Sequence, residues 1–367
     1  MTNGISTTEE IINEAQNGRM FILVDDADRE NEGDLVIPAQ MATPSAINFM
    51  ASHGRGLICL AMTKARVTEL GLQPMSVQNR TPLGTAFMNS IEASAGITTG
   101  ISAADRARTI SVAIDGSQKR GHIVSPGHIF PLEARDGGVL IRPGHTEAAV
   151  DVSRLAGLNP SGVICEIMRD DGKMARLDDL IPFAAKHSLK IGTISDLIAY
   201  RLRNENLVER RAEAIFQSEW GGEWKAISFF NKATGTEQIV LQKGNISESD
   251  PTLVRMHAST IFSDVFGQKN TNSSQLAKAM KLIGDAGSGI LAYISPSILN
   301  YYSQQVEDLS DGQSLSKQQS QEYGIGAQIL NRLGVHDMVL ISNVDHDVTG
   351  LEGFGLRVVG RMAFKGG

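Results

Sequence analysis

Cysteine is scarce in this chain: two residues in 367, Cys59 and Cys165, and none after them. Both fall in apolar, strand-like segments and read as buried free thiols, which argues against a disulfide framework or a thiolate zinc centre. An excess of positive charge is also missing. Against 41 Asp and Glu stand 34 Lys and Arg, a net charge of −7, and this disfavours a general nucleic-acid-binding surface. No apolar run approaches the ~18 residues of a membrane span. The opening Met1 to Ser6 has neither the basic nor the apolar region of a secretory signal. Together these absences predict a cytoplasmic protein with no nucleic acid and no membrane among its partners. The rest of the composition, 41% hydrophobic and 20% charged, is that of an ordinary globular chain long enough for about two domains.

The densest local feature is Asp25 to Asp34, with six carboxylates in ten residues and Arg29 among them. Apolar runs, Phe21 to Val24 and Leu35 to Pro38, lead in and out, so two strands flanking an acidic turn are expected. Like charges at this density raise one another's pKa unless donors or a cation relieve them. A hard divalent ion with oxygen ligands is the usual relief. A solvated acidic loop is the bland alternative. An EF-hand is excluded: counting from Asp28, Gly33 stands sixth but the twelfth residue is Ala39, where a bidentate Glu is required.

Before this turn, Ser6 to Glu9 has capping-box spacing ahead of a helix carrying Ile11, Ile12 and Ala15. After it, Thr43-Pro44 opens a second helix. Residues 96 to 105 are rich in Thr, Ser and Gly before a helix, a composition suited to holding an anion. Two Pro-Gly turns, Ser125 to His128 and Arg142 to His145, each place a His at the end of a strand. Glu166 sits within the apolar run Gly162 to Met168, where an unpaired carboxylate is costly and a general acid or base is a candidate. From Ser195 to about Ile215 the chain reads as a long charged helix joining two domains. Beyond it strand-like and helix-like stretches alternate, and Tyr301 to Glu322, rich in Gln and Ser, reads as a mobile loop.

The motifs Asp25–Asp34, His53–Gly56, Gly96–Arg106, Pro126–His128, Gly137–Ala148, Gly162–Glu166 and Asp171–Arg176, in that order, resemble 3,4-dihydroxy-2-butanone 4-phosphate synthase, the riboflavin-pathway lyase acting on D-ribulose 5-phosphate. The resemblance implies Mg²⁺ or Mn²⁺ held by Glu30 and His145, and essential catalytic positions at His128 and Glu166. It places the substrate against Arg29, Glu30, Asp34, Thr99, Arg142, Pro143, Gly144, His145, Thr146 and Glu166. Ser125 stands where many relatives carry Arg. A homodimer with its site near the subunit boundary is implied as well.

From about residue 220 the chain resembles GTP cyclohydrolase II, through Tyr323–Leu330, Leu333–Val335 and Gly353–Leu356. That family's three zinc-binding cysteines have no counterpart here. The matching stretches read His257-Ala258-Ser259-Thr260 and Lys269-Asn270-Thr271-Asn272. Gln319 and Gln321 replace its catalytic Asp and Arg. The reading is therefore an α+β protein of two domains, each a mixed sheet packed with helices: a synthase at 1–205, a helical linker at 206–218, and a cyclohydrolase-like domain without zinc or catalysis at 219–367. The alternatives are a bifunctional enzyme and a synthase regulated by nucleotide or flavin binding to the second domain.

Overall fold

The computed structural model describes residues 4–26, 29–76, 78–79, 84–247, 250–268, 275–295, 301–311, 319–342 and 351–364. The chain divides into two units, Met1–Tyr200 and Arg201–Gly367, each an α+β body around one seven-stranded mixed sheet. Among the described residues no helix is long and apolar enough to cross a membrane.

The first unit opens with α1 (Thr8–Gln16). Its capping box is formed by Thr7 and Glu10, one residue later than the sequence suggested, with each side chain bonded to the other's backbone N–H. The strands β1 (Phe21–Val24) and β2 (Gly33–Pro38) form the expected antiparallel hairpin. They are followed by α2 (Pro44–Phe49), β3 (Cys59–Thr63), α3 (Lys64–Leu70), β4 (Ile91–Ala93), α4 (Ala103–Ile114) and β5 (Ile123–Ala134). The unit continues through α5 (His145–Leu155), β6 (Ser161–Glu166), α6 (Leu177–His187), β7 (Ile191–Thr193) and α7 (Ile194–Asn204), whose end passes into the second unit.

The sheet order is β4-β5-β3-β6-β2-β1-β7. Every residue of β1 and β2 is buried, because both faces are covered. Ile22, Leu35, Leu60 and Val163 pack on one face. Leu23, Val36, Cys59 and Ile164 pack on the other, against Ile11 of α1 and Ala148 and Val152 of α5. Burying each such aliphatic side chain stabilises the fold by about 1.5–3 kcal/mol. Both cysteines are buried free thiols in these strands.

The second unit holds β8 (Val208–Ser218), β9 (Gly222–Asn231), β10 (Thr236–Lys243), β11 (Thr252–Ala258), α8 (Ile261–Asp264), α9 (Gln275–Ala286), β12 (Gly289–Ile294), α10 (Tyr301–Asp311), α11 (Gln319–Arg332), β13 (Asp337–Ile341) and β14 (Arg357–Met362). Its sheet runs β14-β13-β11-β12-β10-β9-β8.

Two expectations fail here. The helical linker at 206–218 is instead β8, antiparallel to β9 over Val208 to Ser218. As the sheet's last strand it is exposed on both faces beyond Val208, so no alternation marks it. The charges that suggested a helix are those of an edge strand, and Arg211 stacks over Phe230 of β9 at 3.9 Å. Nor is the preceding turn a free tether, since Leu207 N donates to Gln328 Oε1 at 3.0 Å. The loop expected over Tyr301 to Glu322 is, where described, helix: α10 and the start of α11. Its Gln- and Ser-rich composition suggested a loop, but among the described residues Gln305 is buried in α10. Lys269 to Asn272 lie outside the described residues, as do the side chains of Gln319 and Gln321.

Candidate active site

The β1–β2 hairpin carries the acidic turn, and Asp25 organises it. This carboxylate is buried. Its Oδ2 accepts from Arg29 Nη1 at 2.7 Å and from Glu30 N at 3.1 Å, and its Oδ1 from Glu32 N at 2.9 Å. Arg176 donates to the carbonyls of Glu30, at 2.6 Å, and Asn31. Local donors thus relieve part of the charge density, and Glu30 is left turned toward α5. Its Oε2 lies 2.5 Å from Arg29 Nη1 and 3.7 Å from His145 Nδ1.

His145 is the first residue of α5 and is buried. Its Nε2 donates to Leu23 O at 3.2 Å and stands 3.9 Å from Asp34 Oδ1. The charges answer this geometry. The His145 imidazolium, with Arg29 beside it, pulls Glu30 down to about 2 against the effect of burial. Burial opposes the charged form of His145, yet the carboxylates of Asp34, Glu30 and Asp25 outweigh it and lift the ring to about 9. Burial, together with the charges of Glu166, Glu30 and Glu32, pushes Asp34 up to about 7.

Asp25, Glu30 and His145 each bring a ligand atom within 4.8 Å of the others. Two carboxylate oxygens and one imidazole nitrogen form a donor set suited to Mg²⁺ or Mn²⁺. Sequence reasoning had singled out two of the three. Asp25 was one acid among six, and its burial and its place beside Glu30 and His145 became visible only in the structure.

Register brings a further acid alongside. Asp34 pairs with Glu166 across β2 and β6. Glu166 ends its strand, half-buried, instead of lying in the middle of it, and its Oε2 accepts from Leu57 N at 2.8 Å. Above this row, Gly144 caps α5. A Cβ there would lie 2.4 Å from Arg142 Nη1 and 3.0 Å from Arg29 Nη2, so two guanidinium groups close over the N-terminus of the helix. Arg142 is braced by Glu147 at 2.7 Å and Thr85 at 2.8 Å. Thr146 is buried on the first turn of α5, and Pro143 is exposed beside it. Cations at a helix N-terminus suit a phosphate. The second Pro-Gly turn therefore starts a helix and does not end a strand.

The first turn is an excursion inside β5. Ile91 and Glu92 of β4 face Ile129 and Val124, which leaves Ser125 to His128 bulged out. β3 lies between β5, which carries His128, and β6, which ends at Glu166. Two strand spacings, roughly 10 Å of backbone, thus separate His128 from Glu166. Thr99 is exposed. The loop around it directs donors inward: Thr98 N, Thr98 Oγ1 and Gly100 N all bond the Asp105 carboxylate, at 3.1, 2.7 and 3.0 Å. A cleft of about 520 Å³ is walled by His53, Arg55, Asp170, Lys186 and others, none of them an expected site residue.

Residues 9–200 match the family described as 3,4-dihydroxy-2-butanone 4-phosphate synthase, and residues 209–363 match GTP cyclohydrolase II. The chain is 49% identical to the riboflavin biosynthesis protein RibBA of Aquifex aeolicus, over 98% of this chain and 92% of that one. It is similar to the crystal structure of RibBX, a two-domain 3,4-dihydroxy-2-butanone 4-phosphate synthase from A. baumannii, with a TM-score of 0.78 at 40% identity, covering 98% and 99% of the two chains. A 3,4-dihydroxy-2-butanone 4-phosphate synthase solved in complex with two magnesium ions matches with a TM-score of 0.53 at 39% identity, over 55% of this chain and 98% of the other. The acidic hairpin, the cationic end of α5 and the Glu166 row thus sit in a chain that belongs to the 3,4-dihydroxy-2-butanone 4-phosphate synthase family, followed by a GTP cyclohydrolase II domain.

Proposed function

We propose that the first unit converts D-ribulose 5-phosphate to 3,4-dihydroxy-2-butanone 4-phosphate and formate, with Mg²⁺ or Mn²⁺ held by Glu30 and His145 and with Asp25 at hand. The observation carrying this reading is the convergence of those three ligand groups beside the Arg29–Arg142 pair. The bound ion supplies charge stabilisation to the oxygens that become negative during enolisation and fragmentation. Arg29, Arg142 and the first turn of α5, from Gly144 to Thr146, hold the phosphate, and its binding energy positions the reacting carbons. Asp34 and Thr99 complete the contacts to the sugar. His128 and Glu166 move protons, since several carbons change protonation in turn. The family resemblance supports a homodimer with its site near the subunit boundary.

The test is incubation with ribulose 5-phosphate and Mg²⁺ followed by detection of formate. Chelation should abolish turnover and Mg²⁺ restore it. Undiminished activity in EDTA would sink the metal assignment.

The second unit, in this reading, does not hydrolyse GTP. Opening the guanine ring requires a zinc-activated water with three protein ligands and an open position. The required thiols are absent from the sequence. In the stretch aligned with the first of them, His257 Nε2 is bonded to Asp264 at 2.9 Å and its ring is stacked on Tyr293. The match of residues 209–363 to GTP cyclohydrolase II favours a second reading, a bifunctional enzyme. Formate and pyrophosphate release from GTP with added Zn²⁺ decides between them. Thermal shifts with GTP and flavin test a regulatory role for the domain.

A further inference from the structure

The segment 96–105 has a composition suited to holding an anion, but the donors of Thr98 and Gly100 turn inward to Asp105. Gly100, at φ +89°, lies against the carboxylate of Glu92, and a Cβ there would stand 2.1 Å from Glu92 Oε1. Asp105, anchored at the start of α4 by the Ser102 cap at 3.1 Å, locks this loop through three bonds. On the other side, Ala93 N donates to the buried Thr109 hydroxyl of α4 at 3.1 Å. Glu92 is thereby fixed between an edge strand, a locked loop and α4. Its carboxylate lies 3.0 and 3.2 Å from His128 Nδ1. The exposures differ sharply: the Glu92 side chain is 11% exposed and that of His128 42%. The acid is walled off while the ring is open to a substrate. The bulge that carries His128 is pinned over β4 by Ser125 Oγ to Ser90 O at 2.7 Å and by Gly127 N to Ser90 Oγ at 3.1 Å. Bulges of this kind re-aim a side chain.

We propose that Glu92 is a positioning residue for His128. A carboxylate only accepts hydrogen bonds, so it keeps the proton of a neutral imidazole on Nδ1 and leaves the Nε2 lone pair facing outward. That lone pair takes a proton from the substrate, and the carboxylate faces the imidazolium that results. Apart from Thr99, the segment Gly96 to Asp105 then serves the reaction indirectly, as the scaffold that seats Glu92. The inference rests on the reading of His128 as a proton carrier, and the experiment separates the two.

The full chain is assayed with ribulose 5-phosphate and Mg²⁺ as wild type, Glu92→Ala, Glu92→Gln, His128→Asn and Glu92→Ala/His128→Asn, alongside ¹⁵N NMR of the histidine rings. Supporting partners of this kind typically contribute about 10–100-fold. Glu92→Ala should lower kcat by that factor with KM held within about twofold. Glu92→Gln, whose amide oxygen still accepts from Nδ1, should recover part of the loss. In the His128→Asn background Glu92→Ala should change nothing further, because there is no ring left to orient. The wild-type spectrum should show His128 as the Nδ1–H form, and Glu92→Ala should shift it toward Nε2–H. If Glu92→Ala does not fold, the near-isosteric Glu92→Gln and the wild-type spectrum carry the test. A wild-type kcat in the Glu92 variants, an undiminished Glu92 effect without His128, or an Nε2–H ring in the wild type overturns the proposal while leaving His128 its role. A wild-type rate in His128→Asn overturns both.

Discussion

Protonation of His145 and coordination of a cation by His145 exclude each other, because an imidazolium has no lone pair to offer. Its pKa is raised from 6.5 to about 9, so this residue contributes stability below pH 6.5 that is lost as the pH climbs through about 9. Asp34, raised from 3.8 to about 7, carries an ionisation cost that is fully present above pH 7. Both effects point the same way. The thermal midpoint of the metal-free protein should fall between about pH 6.5 and 9. Mg²⁺ affinity by calorimetry should rise over the same window and level off above it, and His145→Ala should abolish the slope. A pH-independent affinity would remove His145 from the ligand set. Glu166→Gln and His128→Asn should each lower the rate by ~10²–10⁴-fold, as loss of a general acid or base does, with metal affinity largely kept. Wild-type rates in both would leave Glu166 a paired acid at a strand end and His128 a residue of a bulge.

At the scale of elements, the start of α5 is where the hairpin, the 135–144 segment and the sheet meet. The buried acids Glu147 and Asp151 face back along the helix and hold that segment through Arg135 N at 3.0 Å and Val139 N at 2.8 Å. Gly144 adopts φ −116°, a conformation open to any residue, so the reason for glycine is space and not strain. Gly144→Ala must push aside the Arg142 or Arg29 guanidinium. It should raise KM for ribulose 5-phosphate by about tenfold with a smaller change in kcat, the signature of lost uniform binding. A large fall in kcat at constant KM would instead place these arginines at the reacting carbons. The same element shows why motif reading works at short range. Arg142 to Thr146 is contiguous, and a helix N-terminus collects adjacent residues into one place.

For the whole molecule, the strand identity of 208–218 changes where the domains can be cut. A chain ending near Arg211 would leave the start of β8 without β9 beside it and would expose an unpaired edge. A chain ending at Asn204, after α7, avoids this. It should be soluble and release formate from ribulose 5-phosphate at a rate close to that of the full chain. A folded but inactive truncation would show that the second unit completes or controls the site.

Local features of this sequence settled what depends on neighbours in the chain. The apolar runs around Asp25 to Asp34 specify a hairpin because strand pairing across a short turn is nearly local. The Thr43 cap and the buried thiols followed from residue type and immediate context, and the lack of cysteine in the second domain is read directly from residue type. Tertiary structure decided which acids matter. Asp25 and Asp34 look like their neighbours until the sheet buries them beside His145, more than a hundred residues away. Glu92 had no signal at all, since its role exists only where β4 runs beneath the bulge of β5. The charges of β8 likewise read as a helix until the sheet placed them on its last edge, because a strand exposed on both faces carries no period. Desolvation, cross-strand register and edge position are properties of the assembled sheet, and none of them is written in the order of the residues.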